Sequence, residues 1–227
     1  MFKGMSIFLF FLLNIFQTPS VAPSISIGER LSVSASSMLI PPNLSARSIL
    51  LFDIANRRSL IGQNEKNIVP IASLSKVMTG YVALGLFDPE EKIQISEEDI
   101  KTDGNSGGLE KGEIFSLRDL LFAAMMYSSN DAASAIAEKI GERLGGKTFD
   151  EKIALAVEHM NLEARTLGME HTTFANPTGL DFDINIASNY SSAEDLMKLI
   201  FATNKTPLLW DASCPEEKTI YSSEGRA

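Results

Sequence analysis

Apolar positions along this chain repeat with two periods, one suited to strands and one to helices. The run Ser48-Ile49-Leu50-Leu51-Phe52-Asp53-Ile54 is short, continuous and apolar, which predicts a buried strand. Asn56-Arg57 supplies turn residues, and Ser59-Leu60-Ile61 a partner strand. From Ser73 to Phe87 the spacing predicts a helix. Lys92-Ile93-Gln94-Ile95 reads as a short strand, and Asp103 to Gly112 as a loop heavy in glycine. Ser116 to Tyr127 is a helix, with Ser116 as N-cap and Asp119 three residues on in the manner of a capping box. Asp131 to Leu144 carries apolar residues at Ala132, Ile136, Ala137 and Ile140 and stops at Gly145-Gly146. Phe149 to Leu167 repeats the pattern at Ile153, Val157, Met160 and Ala164, and Ser191 with Glu194 opens a last helix through Leu196, Leu199 and Ile200. Strands toward both ends and helices between them predict an α+β protein, a sheet interrupted by a mostly helical insertion.

The first residues do not belong to that pattern. Lys3 precedes the apolar run Met5 to Phe16, a positive n-region followed by a short h-region. The run is too short for a comfortable membrane span. Residues 1–22 therefore read as a signal peptide, with Ser20-Val21-Ala22 as small residues for cleavage, or alternatively as an uncleaved N-terminal anchor that would associate the protein with a membrane. Residues 23–45 are rich in Ser and Pro and read as a linker, which leaves 46–227 as one domain. An exported protein is expected. Cys214 is the sole cysteine of the 227 residues, so no internal disulfide is available and the domain relies on its core. A net charge of −9 and a pI near 4.8 exclude a nucleic-acid binder of the usual basic kind.

Chemistry concentrates at two places. Ser73-Leu74-Ser75-Lys76 opens the first predicted helix, and Ser128-Ser129-Asn130 separates two later ones. A serine hydroxyl attacks poorly unless an adjacent base takes its proton. Positions i and i+3 share a helix face, so the Lys76 amine can reach the Ser73 hydroxyl. To act as a base the amine must be neutral part of the time, and burial favours the neutral form. Ile71, Ala72, Leu74, Val77 and Met78 provide apolar surroundings for that burial. Ser73 in the first turn also meets the positive end of the helix dipole. Ser128 is placed to relay a proton toward a leaving group, and Asn130 offers an amide donor and a carbonyl acceptor for orienting a peptide. A bare Ser-x-x-Lys arises by chance roughly once in a chain of this size. Ser73 as a plain N-cap, with Lys76 as a solvated charge, remains the alternative at this point.

A second candidate nucleophile, Ser106, lies in Gly104-Asn105-Ser106-Gly107-Gly108, which matches Gly-x-Ser-x-Gly. The flanking residues are polar and lack the strand and helix that a nucleophile elbow requires, and a triad would need His159 or His171. His159 falls on a helix pattern and His171 in a short polar stretch. Two histidines and one cysteine, widely separated, make no recognisable zinc spacing, and no glycine-rich phosphate loop follows a strand.

Together the segments resemble the low-molecular-mass penicillin-binding proteins, the serine-type D-alanyl-D-alanine carboxypeptidase family. The resemblance rests on Ile71 to Thr79, on Tyr127 to Ala133, and on Met160-Asn161, Leu167-Gly168-Met169, Asn176-Pro177-Thr178-Gly179-Leu180 and Ser191 to Leu196. Ser106-Gly107-Gly108-Leu109 resembles the family's glycine-rich loop ahead of the second active-site helix. The resemblance implies a three-layer α/β/α fold of the beta-lactamase/transpeptidase type. It implies an acyl-enzyme mechanism: Ser73 attacks the carbonyl between the two terminal D-alanines of a peptidoglycan stem peptide, Lys76 acts as base, and water hydrolyses the ester. Beta-lactams would acylate the same serine, no cofactor is implied, and the site would face the periplasm or the extracellular side of a bacterial membrane.

Two features depart from the family pattern. Ser129 stands where the family usually has glycine. The family's third motif, Lys-Thr-Gly on a strand lining the groove, is not found; Lys218-Thr219-Ile220 carries Ile220 where close approach needs glycine, and Tyr221 to Arg226 resembles the segment ahead of the missing strands. The reading is therefore of a chain without its C-terminal strands, with an uncovered sheet edge and poor catalysis. Two other readings stay open. One is a non-catalytic relic that binds peptidoglycan. The other is a class A-like beta-lactamase, although that family carries Asp at the place of Ser129 and its deacylating glutamate motif is not found here.

Overall fold

The computed structural model describes residues 45–183, 186–215 and 217–225. The signal or anchor expected at 1–22, and nearly all of the linker, lie outside the described residues. No helix among those described is long and apolar enough to cross a membrane.

The described residues up to Gln63 belong to one compact unit and those from Asn64 to a second. The described part of the first unit is a hairpin. Strand β1 (Ile49–Asp53) pairs antiparallel with β2 (Arg58–Gln63), with an irregularity in register between Leu51 and Phe52. The turn is closed by Asp53, whose carboxylate accepts from the Asn56 backbone (3.0 Å) and side chain (2.7 Å). The turn falls at the expected Asn56-Arg57, with Arg57 in the left-handed region at φ 50°. The expectation of a buried strand is corrected: every residue of β1 is at least partly exposed, and Leu51 is 43% exposed. β1 pairs with β2 alone among the described residues, so its apolar run is not enclosed by strands on both edges.

The second unit is mostly helical. After β3 (Val69–Pro70) and a 3-10 turn at Ala72–Leu74 comes α1 (Ser75–Leu86). β4 (Lys92–Gln94), α2 (Glu97–Ile100) and β5 (Ile114–Ser116) lead into α3 (Leu117–Met126), α4 (Asn130–Arg143) and α5 (Phe149–Thr166). β6 (Tyr190–Ser191), α6 (Ala193–Thr203) and α7 (Pro207–Asp211) complete the elements. The strands occur as three antiparallel pairs: β1 with β2, β3 with β6, and β4 with β5. C-terminal to α7 the described residues form no strand; Ile220 packs on the core, Lys218 lies over the Phe122 ring, and the Ser223 N–H donates to the Ile114 carbonyl.

The core surrounds α4. Ala132, Ala133, Ile136, Ala137 and Ile140 are buried along it, and α4 packs against α1, α3 and α5. Small side chains let these helices approach closely. A Cβ at Gly141 would lie 1.9 Å from the Lys152 carbonyl oxygen of α5, so this contact admits only glycine. Helix ends follow from sequence, with some shifts. Ser116 caps α3, its hydroxyl accepting from the Asp119 N–H. α5 begins with a full capping box, Thr148 with Glu151. The last large helix is capped by Ser192, with the Asp195 N–H as donor, and not by Ser191 with Glu194. Ser191 is instead drawn into β6 by pairing with Val69.

Candidate active site

Ser73 and Lys76 stand at the junction of the 3-10 turn and α1. The 3-10 turn tightens the chain ahead of the helix, so Ser73 precedes α1 and Lys76 is its second residue. Ala72 is held at φ 44°, a left-handed conformation that costs a non-glycine residue on the order of 1 kcal/mol. The Lys76 Nζ lies 3.1 Å from the Ser73 Oγ, 3.3 Å from the Ser128 Oγ and 2.8 Å from the Thr178 carbonyl oxygen. The Ser128 hydroxyl donates to the Ser73 Oγ at 2.7 Å. Each of the three side chains therefore touches the other two.

The two ends of this cluster sit in different surroundings. Ser73 is exposed, whereas Lys76 is 2% exposed. Burial lowers the Lys76 pKa from 10.5 to about 8, because the ammonium loses its hydration. At neutral pH roughly a tenth of the amine is then unprotonated, enough to accept a proton from a hydroxyl 3.1 Å away.

Ser128 reaches the cluster from the end of α3. It adopts φ 56°, and the following Ser129 N–H reaches back to the Ala123 carbonyl at 3.2 Å. Ser129 then caps α4, its hydroxyl accepting from the Ala132 N–H at 3.0 Å. The residue that looked like a mere departure from glycine thus has a structural task. Asn130 lines the same cleft, 5% exposed, with one side-chain N–H donated to the Asp103 carbonyl at 2.7 Å and its backbone N–H to the Asn105 carbonyl at 2.7 Å. The sequence expectation gave Asn130 donor and acceptor groups for a ligand; one of those donors is engaged by the loop. Asp131 secures that loop further, accepting from the Gly107 N–H at 2.8 and 2.9 Å and from the Ser106 hydroxyl at 3.0 Å.

Ser106, the second candidate nucleophile, is thereby occupied as a loop anchor. His159 sits on α5 facing Glu163, and the His171 backbone N–H donates to Asp195. His171, Glu194 and Asp195 do bring potential ligand atoms within 4.8 Å of one another, a grouping that sequence spacing could not reveal. Yet the Asp195 carboxylate is already filled by the His171 N–H (2.6 Å), the Thr172 hydroxyl (3.0 Å) and Lys198 (2.8 Å).

The turn that completes the cluster lies in Asn176 to Leu180, one of the stretches that carry the family resemblance; its contact with Lys76 was not foreseen from sequence. Thr178 offers its carbonyl to Lys76, and the preceding Pro177 carbonyl accepts from the Thr79 hydroxyl at 2.7 Å. Gly179 has φ 80°, and a Cβ there would lie 1.9 Å from the Ala72 carbonyl oxygen. The backbone before Ser73 and the turn therefore touch as only glycine permits. Asn176-Pro177-Thr178-Gly179 is also a turn-forming stretch by composition. Ser73, Ser128, Asn130 and Gly179 border a cleft of about 550 Å³, a size that suits a small peptide.

Comparison with known proteins bears on the family and the fold. The peptidase S11 family, D-alanyl-D-alanine carboxypeptidase, matches residues 34–223. A D-alanyl-D-alanine endopeptidase of Pseudomonas aeruginosa is 33% identical over 212 residues, 92% of this chain and 63% of its own length. The D-alanyl-D-alanine carboxypeptidase DacB2 of Mycobacterium tuberculosis is 30% identical over 81% of this chain and 59% of its own. The crystal structure of a penicillin-binding protein homologue from M. tuberculosis superposes with a TM-score of 0.70 at 27% identity, covering 81% of this chain and 65% of that one. The chain spans less than two thirds of the length of each of these relatives. A family match across most of the sequence, with the same fold beneath it, shows that the chain belongs to the D-alanyl-D-alanine carboxypeptidase family.

Proposed function

We propose that the protein is a penicillin-binding serine hydrolase of peptidoglycan that removes the terminal D-alanine from stem peptides. The observation that carries this reading is the mutual contact of Ser73, Lys76 and Ser128, with the base buried and the nucleophile open to the cleft. In this reading the Ser73 Oγ attacks the carbonyl carbon between the two D-alanines. Its proton passes to the neutral Lys76 amine, and a proton returns through the Ser128 hydroxyl to the departing D-alanine nitrogen. Water then adds to the acyl-serine carbonyl, Lys76 takes the water's proton and passes it to the departing Ser73 oxygen, and the ester opens to free the shortened peptide and the Ser73 hydroxyl. Asn130 orients the peptide from the cleft wall. Beta-lactams acylate the same hydroxyl, and the protein works on the outer side of the cytoplasmic membrane, where its substrate is.

A second reading uses the same residues on cross-linked strands. It is favoured by the P. aeruginosa and Escherichia coli relatives, each 33% identical and each named a D-alanyl-D-alanine endopeptidase. Supplying the purified protein with an uncross-linked pentapeptide and, separately, with a cross-linked peptide dimer divides the two. Release of free D-alanine from the pentapeptide is the expected result; cleavage of the dimer without that release establishes the endopeptidase. Turnover of neither, in folded protein, removes both.

A further inference from the structure

We propose that Asn189 is a positioning residue for Lys76: its side-chain amide, through Ser75 and the Asn176 backbone, holds the Thr178 carbonyl against the lysine amine. This rests on the reading of Lys76 as the base for Ser73. Asn189 is 1% exposed, and its amide makes the four hydrogen bonds that such a group can make. The Oδ1 accepts from the backbone N–H groups of Ala175 (2.7 Å) and Asn176 (3.2 Å). The Nδ2 donates to the Ser75 hydroxyl (2.7 Å) and the Asn176 carbonyl (2.8 Å).

These bonds join two stretches of chain far apart in sequence. Ser75 is the first residue of α1 and the neighbour of Lys76; its hydroxyl also donates to the Ala72 carbonyl at 2.7 Å. The Asn189 backbone carbonyl accepts from the Ile71 N–H at 3.2 Å, so the same residue also anchors the chain entering the Ser73 turn. On the other side Asn176 begins the turn that carries Thr178, and its own Oδ1 accepts from the N–H groups of Thr178 (3.2 Å) and Gly179 (2.7 Å). Thr178 thus inherits its place from Asn176, and Asn176 from Asn189.

The consequence concerns direction as well as distance. Lysine is a flexible stem with three donors, and a buried amine points where acceptors hold it. Two of its acceptors here, Ser73 and Ser128, change during the reaction, while the Thr178 carbonyl does not. That carbonyl keeps the nitrogen in line with the Ser73 hydroxyl. It also favours the protonated form, since an acceptor stabilises the ammonium.

The test is the rate at which a fluorescent penicillin acylates the wild type, Asn189→Ala and Ser75→Ala across pH, together with the fraction of protein labelled at completion. Asn189→Ala is expected to end as fully labelled as the wild type but to acylate roughly 10- to 100-fold more slowly, the cost of a misplacement near 1 Å. Its acid limb should move to lower pH. Ser75→Ala, which removes one link of the same path, should slow acylation less, and the double variant should fall short of the product of the two effects. Wild-type rates and an unmoved acid limb in folded Asn189→Ala, whatever its melting temperature, overturn the proposal. If that variant does not fold, the same result in Ser75→Ala overturns it. Failure of the wild type to label at all sinks the mechanism underneath instead, and is read separately.

Discussion

At the scale of the residue the molecule turns on a buried lysine. Lys76 is almost fully enclosed, and among the described residues its amine is paired with two hydroxyls and a carbonyl but no carboxylate. Its pKa falls from 10.5 to about 8 in the folded state, which corresponds to about 3 kcal/mol of folding free energy forgone where the group is charged. The sign follows from proton counting. Between pH 8 and 10.5 the unfolded chain holds more protons at this site than the folded one, so stability contributed by Lys76 rises with pH through that window. Lys76→Met removes the effect. The wild-type stability, measured by urea denaturation relative to Lys76→Met, is expected to improve by up to about 3 kcal/mol from pH 8 to 10.5, and the variant should not acylate. A constant difference across that range would mean that the amine is not held neutral by burial. Spacing in the sequence disclosed this pair, because three residues along a helix share a face. It could not disclose Thr178, Ser75 or Asn189, because these contribute a backbone carbonyl and hydrogen bonds that span about a hundred residues of chain.

At the scale of the element, the site is a meeting of helix ends. α1 presents Lys76 and Thr79 to one turn and Ser75 to Asn189; α3 delivers Ser128 in its left-handed exit; α4 starts at Asn130 under the Ser129 cap. The position of α4 therefore matters to the chemistry, and its seat on α5 depends on Gly141. Gly141→Ala drives a Cβ into the Lys152 carbonyl, where backbone must yield. A loss of roughly 1–3 kcal/mol or more is expected, seen as a lower urea midpoint with an unchanged slope. A wild-type midpoint would show that the two helices do not sit this close. The helices were legible from the 3.6-residue period, including Ser116 as a cap and Gly145 as a stop, where Gly145 takes φ 101°. The short strands were less so. β3 and β6 are two residues each, too brief for a period to show, and pairing between them moved the α6 cap from Ser191 to Ser192. Thr148 escaped notice because its capping box lies just beyond the glycine stop of α4.

At the scale of the whole molecule, two arrangements set the chemistry. The body from Asn64 onward carries Ser73, Lys76, Ser128 and Asn130 together, so one compact unit holds the cluster. The chain also matches a single family from 34 to 223, while covering less than two thirds of the length of the P. aeruginosa and M. tuberculosis relatives. Family and fold were legible because several motifs recur in one order along the chain; one such motif by itself would also have suited a helix cap. The choice between trimming a stem peptide and opening a cross-link was not legible, since the proposed mechanism uses the same hydroxyl and amine for both. What both share is an ester on Ser73, and that is the claim to test first. The measurement is the rate of benzylpenicillin acylation from pH 6 to 9, with the adduct located by peptide mass spectrometry. The account predicts one adduct, on Ser73, forming faster as the pH rises and levelling above about 8, where the Lys76 amine is mostly neutral. An adduct elsewhere, or a Ser73 acylation rate flat across that range, would contradict it.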